Sequence, residues 1–595
     1  MSLRPYQQEA HDAICEWIKK SVLPCCIEAA TGAGKSHIIS AVAETIHTMS
    51  KGKHVLCLAP SAELVTQNAE KFKAAGGRAS IFSASAGQKS LRHPVVFGTP
   101  GTVKNSISRF GSEFAAVVVD ECHGLTPTIK SIIDAMRDVN PNLRVIGLSA
   151  TPYRLNTGYI FRNWPDGKSV GDDETKDPYF AACVYRIRAY ELIAQGFLTQ
   201  PVIGEINADG YETVAMQLNA RGQFDAQAVD RAYHGQGRKT SAIIADIVAQ
   251  SKDRAGVMIF AATVRHAEEC MESLPPGLSA IVTGETPKGE RDSIIKAFKA
   301  RKLKYLVNVS VLTTGFDAPH VDVVALLRAT ESVGLLQQMI GRGLRIEDGK
   351  DDVLVLDYAE NLERHCPDGD IFAPEIRVKG GDKEGSELTC VCPLCDQENT
   401  FSARPNEDGY AIDPNGYFTD LDGNVVQTDW GGMPAHFGRR CQSFVTVGVR
   451  DMVQCSYRWT SKECPHCAEP NDIAARYCIS CKGEIVDPNE KLRIDFKALK
   501  KDPTRLQTDE VIKWKKTSQM SRSEKPMFRV DVVTPFRSFS FWVMKNPTFP
   551  KAQRELEMLQ ALGDDAPKTI TYQKDIQSGF YRVSAYNRRP DEIPA

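Results

Sequence analysis

The sequence predicts an α/β protein: two tandem lobes built on parallel sheets, then a cysteine-rich module and a small α+β C-terminal domain. Three observations carry that prediction. Short β-branched runs alternate with helical stretches in two separate series. A loop of small residues follows the first apolar run directly. Nine of the 17 cysteines crowd between Cys390 and Cys481. A chain of 595 residues is too long for one core, and its length fits about three to five domains. Hydrophobic content of 42% and charged content of 25% are those of a globular chain rather than a disordered or fibrous one. A net charge of −2 argues against a protein coated in basic surface for nucleic acid, without excluding a motor that grips phosphates within a cleft.

The first series of buried strands is Val55–Leu58, Val95–Phe97, Ala116–Val119 and Val145–Leu148, within a lobe expected over residues 1–205. Tyr153 to Pro178, rich in Gly, Asp and aromatics, reads as an insertion or long loop before Tyr190–Gly196. A connection near residues 200–236 leads to the second series: Val257–Phe260, Ala280–Thr283, Tyr305–Val309, Val321–Leu327 and Val353–Leu356. These place a second lobe over 206–375. The Gly- and charge-rich run 378–386 reads as a linker into a cysteine-rich module over 376–490. Beyond it, a domain over 491–595 opens with a basic stretch. Lys491 to Arg529 holds twelve Lys/Arg against five Asp/Glu, either a solvated face or a phosphate-binding patch. Strands at Phe528–Val533, Phe536–Val543 and Phe580–Tyr586 and a helix near Arg554–Leu562 follow. No run approaches the roughly 18 apolar residues of a membrane span, and the N-terminus has no apolar signal core. A cytoplasmic protein is expected, with its thiols reduced and its clustered cysteines on metal.

The chemistry begins at Ile27-Glu-Ala-Ala-Thr31-Gly32-Ala33-Gly34-Lys35-Ser36, a strand running into a small-residue loop that opens a helix. Gly32 and Gly34 let the backbone of Thr31–Ser36 curl so that its amides face phosphate. Lys35 supplies a charge for the β- and γ-phosphates of ATP, and Ser36 a hydroxyl for Mg²⁺. The strict pattern has Gly where Ala29 stands. Further on, Val117-Val-Val-Asp120-Glu121-Cys-His123 is an apolar strand ending in two acids, Asp120 for Mg²⁺ and Glu121 for the attacking water. In the second lobe, Gln338-Met-Ile-Gly341-Arg342-Gly-Leu-Arg345 sets two arginines three apart, facing one way. Permanent charge and a planar fork of donors suit both to a γ-phosphate held by the other lobe. Alone, a Gly-Lys-Ser turn or a strand ending in acids is a common structural outcome. In this order they describe one ATP site shared by two RecA-like P-loop lobes.

The set resembles superfamily 2 helicases of the DEAD/DEAH group, with Cys in the third position of the box. Under that resemblance, Leu3-Arg4-Pro-Tyr-Gln7 is the adenine-reading motif, so Arg4 and Gln7 become base contacts. Ser149-Ala-Thr151 couples hydrolysis to lobe movement. In Thr314-Gly315-Phe-Asp317, Gly315 and Asp317 join the nucleotide site, Asp317 as a ribose or inter-lobe contact. The motifs cover about residues 3–345. Ala59-Pro60-Ser61, Gly98-Thr99-Pro100, Ala261-Ala-Thr263, Thr283-Gly284, Ser310 and Thr313 fall where the family touches its strand, though Ser/Thr caps begin many helices.

Cys464-Pro-His-Cys467 and Cys478-Ile-Ser-Cys481 are two knuckles ten residues apart, a zinc-ribbon spacing. Cys392-Pro-Leu-Cys395 is a third knuckle, paired with Cys441 and Cys455, and Cys390 is an alternative ligand. His466 reads as a bystander. Two four-thiolate zinc sites leave no open position and are structural. The order of parts, with Arg439-Arg440-Cys441 and Asn471-Asp-Ile-Ala-Ala-Arg476, is similar to bacterial RadD-type DNA-repair helicases. That resemblance implies a DNA-stimulated ATPase acting in recombinational repair, with a link to single-strand-binding protein; a monomer, associated with the nucleoid and working on single-stranded or branched DNA, is expected. Arg439 and Arg440 are candidate phosphate contacts, with a surface ion pair as the rival role. An RNA helicase, a zinc-bearing nucleotide switch and a restriction motor subunit are the competing functions. The intact hydrolytic set speaks against a switch, and no nuclease constellation accompanies the motor.

Overall fold

A computed structural model describes residues 3–485 and 507–587, apart from 155–156, 173, 209, 212, 214–215, 217–222, 312–315, 367–369, 373–386, 405, 407–408, 421, 429–430, 448–450, 522–524, 535–537, 564 and 576–579. Two compact units divide the chain, Met1–Ile485 and Val486–Ala595.

The first unit opens with β1 (Cys25–Ala29), β2 (His54–Leu58), β3 (Ala79–Ser83), β4 (Gln88–Lys89), β5 (Val95–Gly98), β6 (Phe114–Asp120) and β7 (Arg144–Ser149). A separate hairpin of β8 (Tyr153–Arg154) and β9 (Gly158–Tyr159) follows, then β10 (Phe161–Asn163) and β11 (Phe180–Ile187). The sheet order is β10-β11-β1-β7-β6-β2-β5-β3-β4, parallel except where β4 returns against β3. Both faces are covered. Val118 and Ile146 enter one core, while Val117 and Val145 enter the other. Double burial is why these strands are continuous apolar runs rather than alternating ones. The expected insertion instead supplies the hairpin and the sheet's outermost strand.

A second sheet takes β12 (Gln200–Ile203), β13 (Val257–Phe260), β14 (Ser279–Val282), β15 (Tyr305–Asn308), β16 (Val323–Leu326) and β17 (Asp352–Asp357). It is parallel throughout, in the order β12-β17-β16-β13-β15-β14. The chain changes sheet between Ile187 and Gln200, earlier than residue 206. Pro201 is accommodated because β12 is an edge strand.

The cysteine module is made of short hairpins, among them Glu387–Val391 with Glu398–Ser402, and Phe444–Val447 with Asp451–Gln454. Its core is small: Cys390, Cys392, Phe401, Cys441, Cys455 and Trp459. The linker expected at 378–386 lies outside the described residues. The second unit is α+β, with two three-stranded antiparallel sheets and a helix at Pro550–Ala561. Residues 491–506 of the basic stretch are outside the described residues. Among those described, no helix is long and apolar enough to cross a membrane.

Candidate functional site

β1 ends at Ala29, and the chain turns at Gly34 into the helix Lys35–Met49. Gly32 and Gly34 have φ of 88° and 78°, in the left-handed region. Space excludes side chains too: a Cβ on Gly32 would stand 2.8 Å from Leu198 Cδ2, and one on Gly34 2.6 Å from Gln7 Nε2. The amides of Thr31–Ser36 therefore gather at a helix N-terminus, an arrangement suited to phosphate. Gln7 is buried, and its Nε2 donates to the Ala33 carbonyl at 2.9 Å, which the Tyr6 hydroxyl also reaches at 3.1 Å. Gln7 Oε1 accepts from the Arg4 amide at 3.1 Å, and the Arg4 guanidinium lies 4.9 Å over the Phe197 ring. Thus Gln7 and Arg4 stand at the loop, with the Gln7 amide committed to holding its backbone.

β6 delivers the two acids. Asp120 Oδ2 accepts from Asn68 Nδ2 at 2.9 Å, and its Oδ1 from the Glu121 amide at 3.0 Å. Glu121 has φ of 51°, a left-handed backbone that a non-glycine residue holds at a cost of about 1–3 kcal/mol. That turn aims its carboxylate at Lys35, whose Nζ lies 3.5 Å away, and at His123 Nδ1, 3.4 Å away. His123 Nδ1 also lies 2.9 Å from Ser149 Oγ, which accepts from the Thr151 amide at 3.0 Å. The acid pair and the Ser-Ala-Thr segment are thereby linked. Burial, then the Glu121 charge, pushes Asp120 up to about 6, a penalty a divalent cation would remove. Burial would raise Glu121 too, but Lys35, His123 and Arg342 outweigh it and hold its carboxyl below the usual range. A cavity of about 240 Å³ beside the pair is lined by Ala59, Ser61, Asp120, Glu121 and His123, with room for water.

The second lobe closes the site through two glycines. A Cβ on Gly341 would stand 2.6 Å from Thr31 Cβ, and one on Gly334 3.2 Å from Thr151. The intervening helix Val333–Ile340 thus lies directly on the phosphate loop and the Ser-Ala-Thr segment. Gln337 on that helix hydrogen-bonds the Tyr153 hydroxyl of the first lobe, and its Nε2 donates to Ile371 O at 2.8 Å. Arg342 and Arg345 each donate to the Phe316 carbonyl at 2.8 Å, and Arg345 pairs with Asp317 at 2.5 Å. Burial, then the Arg345 charge, brings Arg342 down to about 10, with Glu121 opposing the fall. Lys35, Asp120, Glu121 and Arg342 thus converge. Asp317 meets Arg345 within its own lobe, while Gly315, Thr313 and Thr314 lie outside the described residues.

Sequence reasoning missed Asn68, Tyr153 and Gln337, because an isolated polar residue on a helix or hairpin carries no spacing signal. It missed Lys71 as well. Burial lowers its pKa, against the charges of Asp317 and Asp120 from opposite lobes.

Comparison with known proteins sets this geometry in a family. Residues 1–154 match the family of the type III restriction enzyme res subunit, and residues 239–347 match the helicase conserved C-terminal domain. The chain carries, over those residues, the two-domain core that superfamily 2 helicases share. Relatives of this helicase include the putative mitochondrial ATP-dependent helicase irc3 of Schizosaccharomyces pombe, 26% identical over 61% of the chain and 58% of that protein. The type I restriction enzyme EcoAI endonuclease subunit of Escherichia coli is 23% identical over 68% of the chain and 51% of its own length. The DNA 3'-5' translocase XPB2 of Sulfurisphaera tokodaii is 23% identical over 58% and 80%. The helicase chain spans just over half the length of the irc3 protein and of the EcoAI subunit.

Two clusters beyond the helicase core can each hold a metal ion: Cys392, Cys395, Cys441 and Cys455, and Cys464, Cys467, Cys478 and Cys481. Zinc–sulfur bonds of about 2.3 Å in a tetrahedron put sulfurs about 3.8 Å apart. Sγ separations here are 3.8 Å for Cys392–Cys455, 3.6 Å for Cys395–Cys441, 3.5 Å for Cys464–Cys481 and 3.6 Å for Cys467–Cys478. Each cluster supplies four sulfur donors, the set a structural zinc takes. Against burial, the amides of Cys481 and Ser480 and the Asn471 side chain bring Cys478 down to about 6. Ser443 and Asn399 likewise outweigh burial to lower Cys441. Cys390 stands apart, its Sγ 3.5 Å from His436 Nε2. His466 is in neither cluster.

The candidate phosphate contacts beside Cys441 are placed otherwise. Arg439 is 3% exposed, pairs with Asp472 at 2.5 Å and donates to the carbonyls of Leu362 (2.9 Å) and Cys366. Arg440 donates to the Cys455 carbonyl at 3.0 Å and pairs, like Arg458, with Glu205. Arg439 therefore ties both cysteine clusters to the second lobe of the helicase. Arg439→Met should lower stability by about 3–5 kcal/mol, because Asp472 loses its buried cation and two carbonyls each lose a donor. Calorimetric melting checks this; a change under about 1 kcal/mol would contradict it. Among the suspected strand contacts, Ser61 and Thr263 cap helices and Ser310 Oγ accepts from Arg328 at 2.6 Å.

Proposed function

We propose that this helicase is a DNA-dependent ATPase and translocase that remodels branched or damaged DNA in recombinational repair. The observation that carries the motor reading is the meeting of Lys35, Asp120 and Glu121 from one lobe with Arg342 from the other. ATP's phosphates lie along the amides of Thr31–Ser36, with Lys35 against the β- and γ-phosphates. Asp120 and Ser36 would hold Mg²⁺, which would supply positive charge beside the phosphate oxygens. Glu121, kept ionised by its cationic neighbours, orients the attacking water and takes its proton. Arg342 and Arg345 complete the site from the second lobe, Arg345 exchanging Asp317 for phosphate. Closing on ATP and parting after hydrolysis moves one lobe against the other.

Zinc fills the two cysteine clusters in this reading, as structural ions that keep no open position. DNA, rather than RNA, is supported by the relative described as a DNA translocase. The proposal includes a monomer working at the nucleoid in contact with single-strand-binding protein.

An ATPase titration with matched single-stranded, duplex and forked DNA and with RNA tests the proposal. The rate should rise sharply with DNA, most with single-stranded or forked ligands. Turnover equally high without nucleic acid, or stimulated only by RNA, would overturn it. Arg342→Ala should lower the stimulated rate about 10³-fold, and Arg342→Lys should restore little because the planar fork is lost. Binding of a fluorescent ATP analogue should persist in both variants.

A further inference from the structure

The three-stranded sheet of the second unit, Lys513–Met520, Pro526–Val533 and Ser538–Met544, has unlike faces. One is a core: Val530, Val532, Phe539, Phe541 and Val543 are buried with Leu559 of the helix and with Ile570 and Tyr572 of the neighbouring sheet. The other is open and polar. Antiparallel register puts Lys515, Asp531 and Ser540 in one row of that face, and Thr517, Arg529 and Trp542 in the next. Lys513 stands one row beyond Lys515, and both lysines are exposed. Trp542 is 37% exposed and meets Phe580, 58% exposed, edge to face at 5.6 Å between ring centroids. Arg529 is held beside the indole by Asp531 at 2.8 Å and Ser540 at 3.3 Å.

Large aromatic surface left in water forgoes the free energy of burial, and here it is edged by three cations against one carboxylate. That excess of charge selects a polyanion. The flat, exposed indole selects one with accessible π-faces, which a duplex hides in its stack and an unpaired strand presents. We propose that this sheet face binds single-stranded DNA, one base stacking on Trp542 against the edge of Phe580, with backbone phosphates on Lys513, Lys515 and Arg529. Stacking reads no base edge, so the grip tolerates any sequence. The surface goes beyond the motor reading: it holds strand whether or not ATP is present, using none of the nucleotide-site residues.

The test uses the full chain without nucleotide and the anisotropy of a fluorescent oligo(dT). Trp542→Ala should weaken binding about tenfold, and Trp542→Phe should recover most of the loss. Lys513→Gln with Lys515→Gln should reduce the salt slope by about 1.4, the value for two single-strand phosphates. Affinity for a duplex of equal length and basal ATP hydrolysis should stay unchanged, which separates this face from the motor and from misfolding. An iodouridine-substituted strand should photocrosslink within 513–545 or 580–586. Unchanged oligo(dT) affinity in Trp542→Ala, an equal loss on duplex, or a loss confined to RNA would overturn the proposal. So would sedimentation in which the substitution dissolves a dimer while DNA affinity is kept, since the face would then belong to a second copy.

Discussion

Glu121→Gln should abolish nucleic-acid-stimulated ATP hydrolysis while leaving nucleotide binding in place. The substitution keeps the shape and removes the charge. Lys35 Nζ at 3.5 Å and His123 at 3.4 Å then face a neutral amide that can neither take a proton nor balance them. Removing a group that acts in the transition state typically costs about 10³-fold or more in turnover. Lys35→Ala should also abolish the rise, but by weakening triphosphate binding, so a fluorescent ATP analogue distinguishes the two. Steady-state phosphate release with saturating DNA is the measurement. A Glu121→Gln rate within tenfold of the parent would show that another group activates the water.

Stripping the metal should unfold the cysteine module and destabilise the second lobe with it. Four thiols drawn to within 4.8 Å of one another repel once ionised, and the buried core at the first cluster is only six residues, three of them its own cysteines. Bound metal contributes roughly 10–16 kcal/mol per site in comparable small domains, more than such a core supplies. The effect does not stop at the module. Tyr477, next to Cys478, is buried in the core of the second lobe, and Lys482 pairs with Asp352 of β17 at 2.9 Å. Cys478→Ser should therefore lose one equivalent of metal and lower the melting transition of the lobe. Metal analysis and calorimetry on the same sample check both; metal-free protein melting like the parent would refute the coupling.

Much of this was legible in the sequence, for definite reasons. β13 has the predicted bounds, Val257–Phe260, because a strand buried on both faces is an unbroken apolar run. β11 was missed since Phe180–Ile187 ends in Tyr-Arg-Ile and resembles neither a run nor an alternation. Lys35, Asp120, Glu121 and Arg342, which the fold brings together, could be singled out because phosphate chemistry fixes such spacings within single strands and loops. Their supports could not: Asn68 reaches Asp120 across 52 residues, a contact only the assembled sheet creates. The eight cysteines of the two clusters were paired by spacing, and geometry separated Cys390 by placing it against His436. Of the arginines beside Cys441, Arg440 takes the ion-pair role weighed against phosphate, while Arg439 is a buried tie, which looks like a phosphate contact in one dimension.

The hydrogen bonds of Arg439 to Leu362 and Cys366 have a mechanical meaning. They tie the cysteine module to the second lobe, so a displacement of that lobe should draw the module with it. A fluorophore at exposed Asp396, paired with one on the first lobe, becomes a pointer whose swing magnifies each opening of the cleft.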